Sequence, residues 1–165
     1  MADKYDAVSV RMEEGVDVGA IKFEEYIDNQ NAKIDAYNKN NKIKKDKIFY
    51  MHYGLKKRVP KGYKLSRFVR NTPDYIVVNE DAFLVEVKYF KGHYLWLKIK
   101  DVEQYKLWNQ KMNLCYFFYS KEYKEHKIVE HKNLMELTAT AETKQLPDPN
   151  YYDDKLCYSI YWKSI

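Results

Sequence analysis

Glu86 and Lys88 stand two residues apart in Phe83-Leu84-Val85-Glu86-Val87-Lys88-Tyr89. In an extended strand alternate residues share a face. Phe83, Val85, Val87 and Tyr89 then point one way, and Leu84, Glu86 and Lys88 the other. Two opposite charges are held side by side in an apolar run, and burying charge is costly unless it is paired or binds a metal. An acid two residues before a lysine occurs six times in the chain, so the spacing alone says little. Only at Glu86 does it lie inside a long apolar strand pattern that follows a shorter strand introduced by an acid. That acid is Asp74, in Asn71-Thr72-Pro73-Asp74-Tyr75-Ile76-Val77-Val78. Pro73 biases Thr72 toward an extended conformation. With a turn at Asn79 to Asp81, Asp74 faces Glu86 across a hairpin. Two carboxylates converging beside an ammonium suit a hard divalent cation such as Mg²⁺, with water and phosphate filling its other positions. The chemistry would be metal-assisted attack of water on a phosphate ester. Lys88 would orient or deprotonate that water, or steady the developing charge.

The elements that must position these groups follow from periodicity. Val16, Ala20, Phe23, Ile27 and Ile34 predict a helix from Val16 to Tyr37, ended by Asn38 to Asn41. On that helix Glu24 lies roughly 70° from the centre of the apolar face and Glu25 roughly 170°, at about 100° per residue. Glu24 therefore borders the buried face, where it could reach a site on the sheet or form an ordinary salt bridge. Ile48 to Tyr53 reads as a strand, and Gly54 to Asn71 as a basic loop or hairpin. Tyr75 to Val78 and Ala82 to Tyr89 read as paired strands. Lys91-Gly92-His93 breaks the pattern. Asp101 is the expected N-cap of a helix to Met112, with Val102, Tyr105, Trp108 and Met112 inward. Leu114 to Tyr119 predicts a buried strand, Lys127 to Val129 a short one, and Lys132 to Leu137 a helical turn or two. Pro147 to Asn150 reads as a loop and Leu156 to Trp162 as a closing strand, with Trp96, Trp108 and Trp162 in the core. The order predicts an α/β protein, one sheet flanked by helices, in a single domain spanning residues 1–165.

Charge is unevenly spread. Residues 39–70 hold twelve Lys or Arg and one acid, Asp46, inside a chain of net charge +5. A basic segment in an otherwise acidic chain predicts a surface facing a polyanion, or else a solvated lysine-rich loop. No secretory h-region and no membrane-length apolar run is present in the sequence, so a soluble cytoplasmic protein without membrane contact is expected. Cys115 and Cys157 lie in apolar runs and read as buried reduced thiols; with no His cluster at ligand spacing they predict no zinc site.

Pro73-Asp74, eleven residues, then Glu86-Val87-Lys88 resembles the PD-(D/E)xK nuclease superfamily, whose members include restriction-endonuclease-like, resolvase-like and homing-endonuclease-like enzymes. Gly19-Ala20-Ile21-Lys22-Phe23-Glu24 is similar to the helix motif that supplies that family's first acid, and the order of elements matches from Val16 to Tyr119. The resemblance implies a restriction-endonuclease-like core with a central mixed β-sheet flanked by helices. It implies Mg²⁺ or Mn²⁺ held by Asp74 and Glu86, helped by Glu24 and the main-chain carbonyl of Val87, with Lys88 as the catalytic lysine. Gln104 occupies the helix where some subfamilies place a site-facing glutamine. The expected activity is a metal-dependent DNA endonuclease needing no nucleotide cofactor, in a class that often works as a homodimer because a duplex has two strands.

Within the basic segment, Lys56, Lys57, Arg58, Arg67 and Arg70 would contact a nucleic-acid backbone. Tyr50, Tyr53, Tyr63 and Phe68 are interleaved with these charges and could stack on bases or serve as core. His93 reads as a surface turn residue or a group beside the site. Two other readings remain: a catalytically silent nucleic-acid-binding module of the same fold, and an RNA endonuclease of the viral cap-cleaving type. The latter would require an upstream His ligand, for which His52 is the candidate.

Overall fold

The computed structural model describes residues 17–54, 66–145 and 156–165. The first helix, α1 (Val18–Asn40), is capped by Asp17, whose carboxylate accepts the Ala20 N–H at 3.1 Å. It runs three residues beyond Tyr37. The side-chain amides of Asn40 and Asn41 donate to the carbonyls of Ala36 and Tyr37, satisfying acceptors that a helix end leaves open. Strand β1 (Phe49–His52) follows, then a one-turn helix α2 (Arg67–Arg70) inside the stretch expected to be a loop. The hairpin forms as expected, from β2 (Tyr75–Val78) and β3 (Ala82–Phe90).

Two strands carry no readable sequence signal. After Gly92, whose φ of +82° makes the turn, the chain enters β4 (Tyr94–Lys98). Its Tyr-Leu-Trp-Leu-Lys is apolar at both alternating sets except Lys98, so the period of two is hidden. Trp96, expected in the core, is instead on the outward side and 38% exposed, because Leu95 and Leu97 take the buried positions. Later, β7 (Glu142–Gln145) is four exposed polar residues, held as a strand only by pairing with β8 (Leu156–Tyr161).

Helix α3 (Ile99–Asn109) begins straight out of β4. Lys98, not Asp101, occupies its N-cap position and makes no side-chain capping bond, so Asp101 lies in the first turn. The helix stops before Met112 because Asn109 turns its side-chain oxygen to the N–H of Leu114, the first residue of β5 (Leu114–Ser120). Then come β6 (Glu125–Glu130), longer than expected, and α4 (His131–Thr140). A short 3₁₀ turn, Trp162–Ser164, follows β8.

The strands form two sheets rather than one. The larger is mixed, in the order β1-β2-β3-β5-β6, with β3 and β5 parallel and the other neighbours antiparallel. The smaller is antiparallel, β4-β8-β7. Helix α1 covers one face of the larger sheet, burying Phe23 and Ile27 against Tyr75, Val77, Val85 and Phe117. The opposite face, with Leu84, Tyr116 and Phe118, packs on Val102 and Tyr105 of α3, Leu134 of α4, and Leu95, Leu97 and Ile160 of the small sheet. Trp162 closes this second core and is fully buried. The result is a mixed α/β architecture in layers. Cys157 is buried and Cys115 only partly, and the two do not form a disulfide. Among the described residues no helix is long and apolar enough to cross a membrane.

Phe23 meets the rings of Tyr75, Tyr50 and Phe117 at 4.6, 6.1 and 5.4 Å, and so fastens α1 to the sheet. Phe23→Ala is expected to lower stability by about 3–5 kcal/mol, from lost burial plus an unfilled cavity. Urea denaturation of the two proteins measures this directly.

Candidate active site

Hairpin pairing sets Tyr75 opposite Val85 and Ile76 opposite Leu84, so the next residue outward on β2, Asp74, comes level with Glu86. Pairing between the two strands ends there, and the side chain of Asp74 takes over: its Oδ2 accepts the main-chain N–H of Val87 at 2.8 Å. The main chain of Asp74 is fixed as well. Its carbonyl accepts the N–H groups of Tyr53 and Gly54 at 2.7 and 3.1 Å. Gly54 permits this approach; a Cβ there would lie 3.0 Å from the carbonyl oxygen of Pro73 and 3.1 Å from Cα of Asp74.

On β3, Glu86 is buried and Lys88 partly exposed, with side-chain exposures of 6% and 30%. Oε1 of Glu86 pairs with the Lys88 ammonium. The same oxygen accepts the hydroxyl of Tyr105 at 2.5 Å. The triangle closes where Lys88 donates to the Tyr105 oxygen at 3.2 Å. No buried side-chain nitrogen or oxygen among the described residues is left without a partner, so the charges cost less than isolated ones would.

These groups line a cavity of about 180 Å³ whose walls are Asn71, Thr72, Asp74, Glu86, Lys88, Asp101 and Tyr105. Burial and the neighbouring Glu86 push the Asp74 carboxyl up to about 7, against the pull of Lys88 and the Val87 N–H. Burial works against the charge on Lys88, yet Glu86, with help from Tyr105 and Asp74, holds its pKa well above the usual lysine range. The Tyr105 hydroxyl is pushed well above its ordinary range by burial and then by Glu86.

Three of the expected site residues are thus brought together: Asp74, Glu86 and Lys88. Val87 belongs with them, because the N–H and C=O of one strand residue point to the same side. Its N–H meets Asp74, so its carbonyl lies along the same edge of β3. Glu24 is not in the cavity. It sits on α1, across the sheet, and accepts the Tyr75 hydroxyl at 2.9 Å. Its phase on the helix is as expected, half-buried beside exposed Glu25, but the face it borders is the other one. Gln104 is half-buried on α3 but does not line the cavity; Asp101 and Tyr105, one helical turn apart on the same face, do. Tyr105 was legible only as a core residue, and Asp101 only as a cap.

The remaining candidates fall elsewhere. Lys56, Lys57, Arg58 and Tyr63 lie outside the described residues. Arg67 and Arg70 belong to α2, the turn that leads directly into Asn71 and Thr72 of the cavity wall. Phe68 lies flat on Trp108 at 4.3 Å and Tyr53 meets the same ring edge-on at 5.9 Å, so both are packed against α3. Tyr50 and His52 pack against Tyr75, and His93 meets the Tyr123 hydroxyl at 2.8 Å.

The donors that the cavity offers a cation are all oxygen, as hard divalent ions require. Among the described residues no three His, Cys, Asp or Glu side chains group closely enough to hold a metal by themselves. Two carboxylates and a main-chain carbonyl remain, a set compatible with Mg²⁺, which keeps several waters. Asp74 crowded by Glu86 is the local excess of negative charge that a cation would relieve. No family model matches the chain, and no curated protein is significantly similar to it.

A carboxyl titrating near 7 in the fold and near about 3.9 when unfolded binds its proton more tightly in the native state. Its contribution to stability is complete below about pH 4 and is lost as pH rises through 7. Asp74→Asn keeps an acceptor for the Val87 N–H and removes the titration. In EDTA the variant should therefore gain on wild type by about 2–3 kcal/mol between pH 5 and pH 8. Thermal melts at the two pH values check this; parallel shifts in both proteins would contradict it.

Proposed function

We propose that the chain is a metal-dependent endonuclease that hydrolyses phosphodiester bonds in DNA, built on a restriction-endonuclease-like core. The observation that carries the reading is the convergence of Asp74, Glu86 and Lys88 at the point where β2 and β3 part, in a polar cavity. The order helix, antiparallel strand pair, crossover helix and parallel strand also agrees with the PD-(D/E)xK arrangement that Pro73-Asp74 and Glu86-Val87-Lys88 resemble.

Asp74, Glu86 and the Val87 carbonyl would hold Mg²⁺ or Mn²⁺. Bound there, the ion supplies a Lewis acid for the phosphate and acidifies the attacking water. Lys88 keeps a positive charge at the cavity, where it can orient that water or the phosphate oxygens. Tyr105 and the burial of Glu86 keep bulk water from one side of the carboxylate. The basic segment ends at Arg70, next to Asn71 of the cavity wall, which supports a polyanionic substrate and nucleic-acid contacts by Arg67 and Arg70.

The silent-module reading has one observation in its favour: Glu86, Lys88 and Tyr105 satisfy one another without an ion. The RNA reading has less support, since His52 packs on Tyr75 and does not line the cavity.

The test incubates the protein with supercoiled, linear and single-stranded DNA, and with RNA, in Mg²⁺, Mn²⁺ or EDTA. Metal-dependent cleavage of DNA is expected, falling by roughly 10²-fold or more in Glu86→Gln and Lys88→Ala. Both variants are first checked for folding by circular dichroism, because breaking a buried pair is itself destabilising. Salt-sensitive DNA binding with no cleavage would favour the silent module instead, and preferential cutting of RNA the third reading.

A further inference from the structure

Helix α3 enters the cavity with a group that neither the acid pair nor the lysine requires for its own chemistry. The Tyr105 hydroxyl donates to Oε1 of Glu86 at 2.5 Å and accepts from Lys88 at 3.2 Å. Lys88 also pairs with that same Oε1. An ionised carboxylate has about four acceptor sites, two on each oxygen. Tyr105 and Lys88 together occupy both of those on Oε1.

The Tyr105 ring cannot easily withdraw. It is buried, and it meets Tyr116 edge-on at 5.8 Å within the core that joins α3 to the sheet. Its hydroxyl is thus a fixed point held by packing, not by the site. Glu86 has rotatable bonds, and a single flexible ammonium would hold it only loosely.

We infer that Tyr105 is a positioning residue that makes Glu86 a one-oxygen metal ligand and so selects for small divalent cations. With Oε1 committed, only Oε2 faces an incoming ion. A one-oxygen carboxylate suits the strict octahedral geometry of a small cation, whereas Ca²⁺ readily takes two oxygens of one carboxylate and a higher coordination number. The hydroxyl that orients the ligand therefore also discriminates between ions. This inference rests on the metal-centre reading above and adds to it the source of ion selectivity.

The variant is Tyr105→Phe, which keeps the ring and its packing and deletes the hydroxyl. Tyr116→Phe is the matched control, removing another buried tyrosine hydroxyl, one that is bonded to His131 at 2.8 Å. Calorimetric titration with Mn²⁺ alone and with Ca²⁺ alone gives the two affinities for each full-length protein, with no substrate present. Wild type is expected to prefer Mn²⁺. In Tyr105→Phe the ratio of Mn²⁺ to Ca²⁺ affinity should fall by about tenfold, the lower end of what losing a partner of a metal ligand usually costs. Tyr116→Phe should keep the wild-type ratio. A general loosening of the fold would weaken both ions together and leave the ratio unchanged, and that result overturns the inference while wild-type binding stands. If wild type binds neither ion, or Glu86→Gln binds as wild type does, the metal-centre reading falls and the inference falls with it.

Discussion

The bond from the Val87 N–H to the Asp74 carboxylate joins the fold to the site. A buried strand cannot leave a main-chain donor without an acceptor. Where β2 stops running beside β3, a side chain must replace the missing carbonyl, and Asp74 does so. This single substitution of side chain for main chain marks where the two strands part. It also turns the edge of β3 toward a carboxylate, in place of the next rung of a ladder. The main-chain carbonyl of the same residue is held by Tyr53 and Gly54 at the end of β1. Three strands therefore converge on one residue of the cavity wall.

Glu86 presents the opposite problem. It lies in the interior of a strand whose neighbours, Val85 and Leu84, are buried on both faces of the sheet. An unpaired carboxylate there would cost several kcal/mol. Lys88 and Tyr105 offset that cost. Replacing such a buried pair with apolar side chains of similar size is often neutral or stabilising, so folding alone does not require these charges. Their presence beside a polar cavity is what weighs in favour of chemistry.

The parts of this arrangement that the sequence made legible are those with a clean period or a clear break. Alternation around Glu86, the three polar residues Asn79 to Asp81, and the apolar spacing of α1 gave the hairpin and the first helix within a few residues. The helix α3 and the strand β5 that follow were readable from their apolar patterns. The small sheet was not, because β4 is apolar on both faces and β7 is polar throughout, so only their partners define them. Two placements lay beyond the sequence for related reasons. Tyr105 lies in the apolar stripe of α3, and a tyrosine there looks like packing until its hydroxyl is placed against Glu86. Glu24 has the right helical phase, but phase fixes a direction relative to the helix, not which face of the sheet the helix covers.

Electrostatics ties the cavity to the rest of the surface. Its walls carry three acids, Asp74, Glu86 and Asp101, against one lysine. The segment that leads into it, residues 39–70, is strongly basic. A polyanion drawn to that segment would meet a cavity of its own sign, and the two features would work against each other in a plain binding surface. A divalent cation held in the cavity would reverse the conflict. It would neutralise the acids and present positive charge to an arriving phosphate. On the proposed reading, the acidic pocket and the basic approach are a single device. Without the ion the pocket would repel a nucleic acid that the basic segment attracts, and with the ion bound the two would agree.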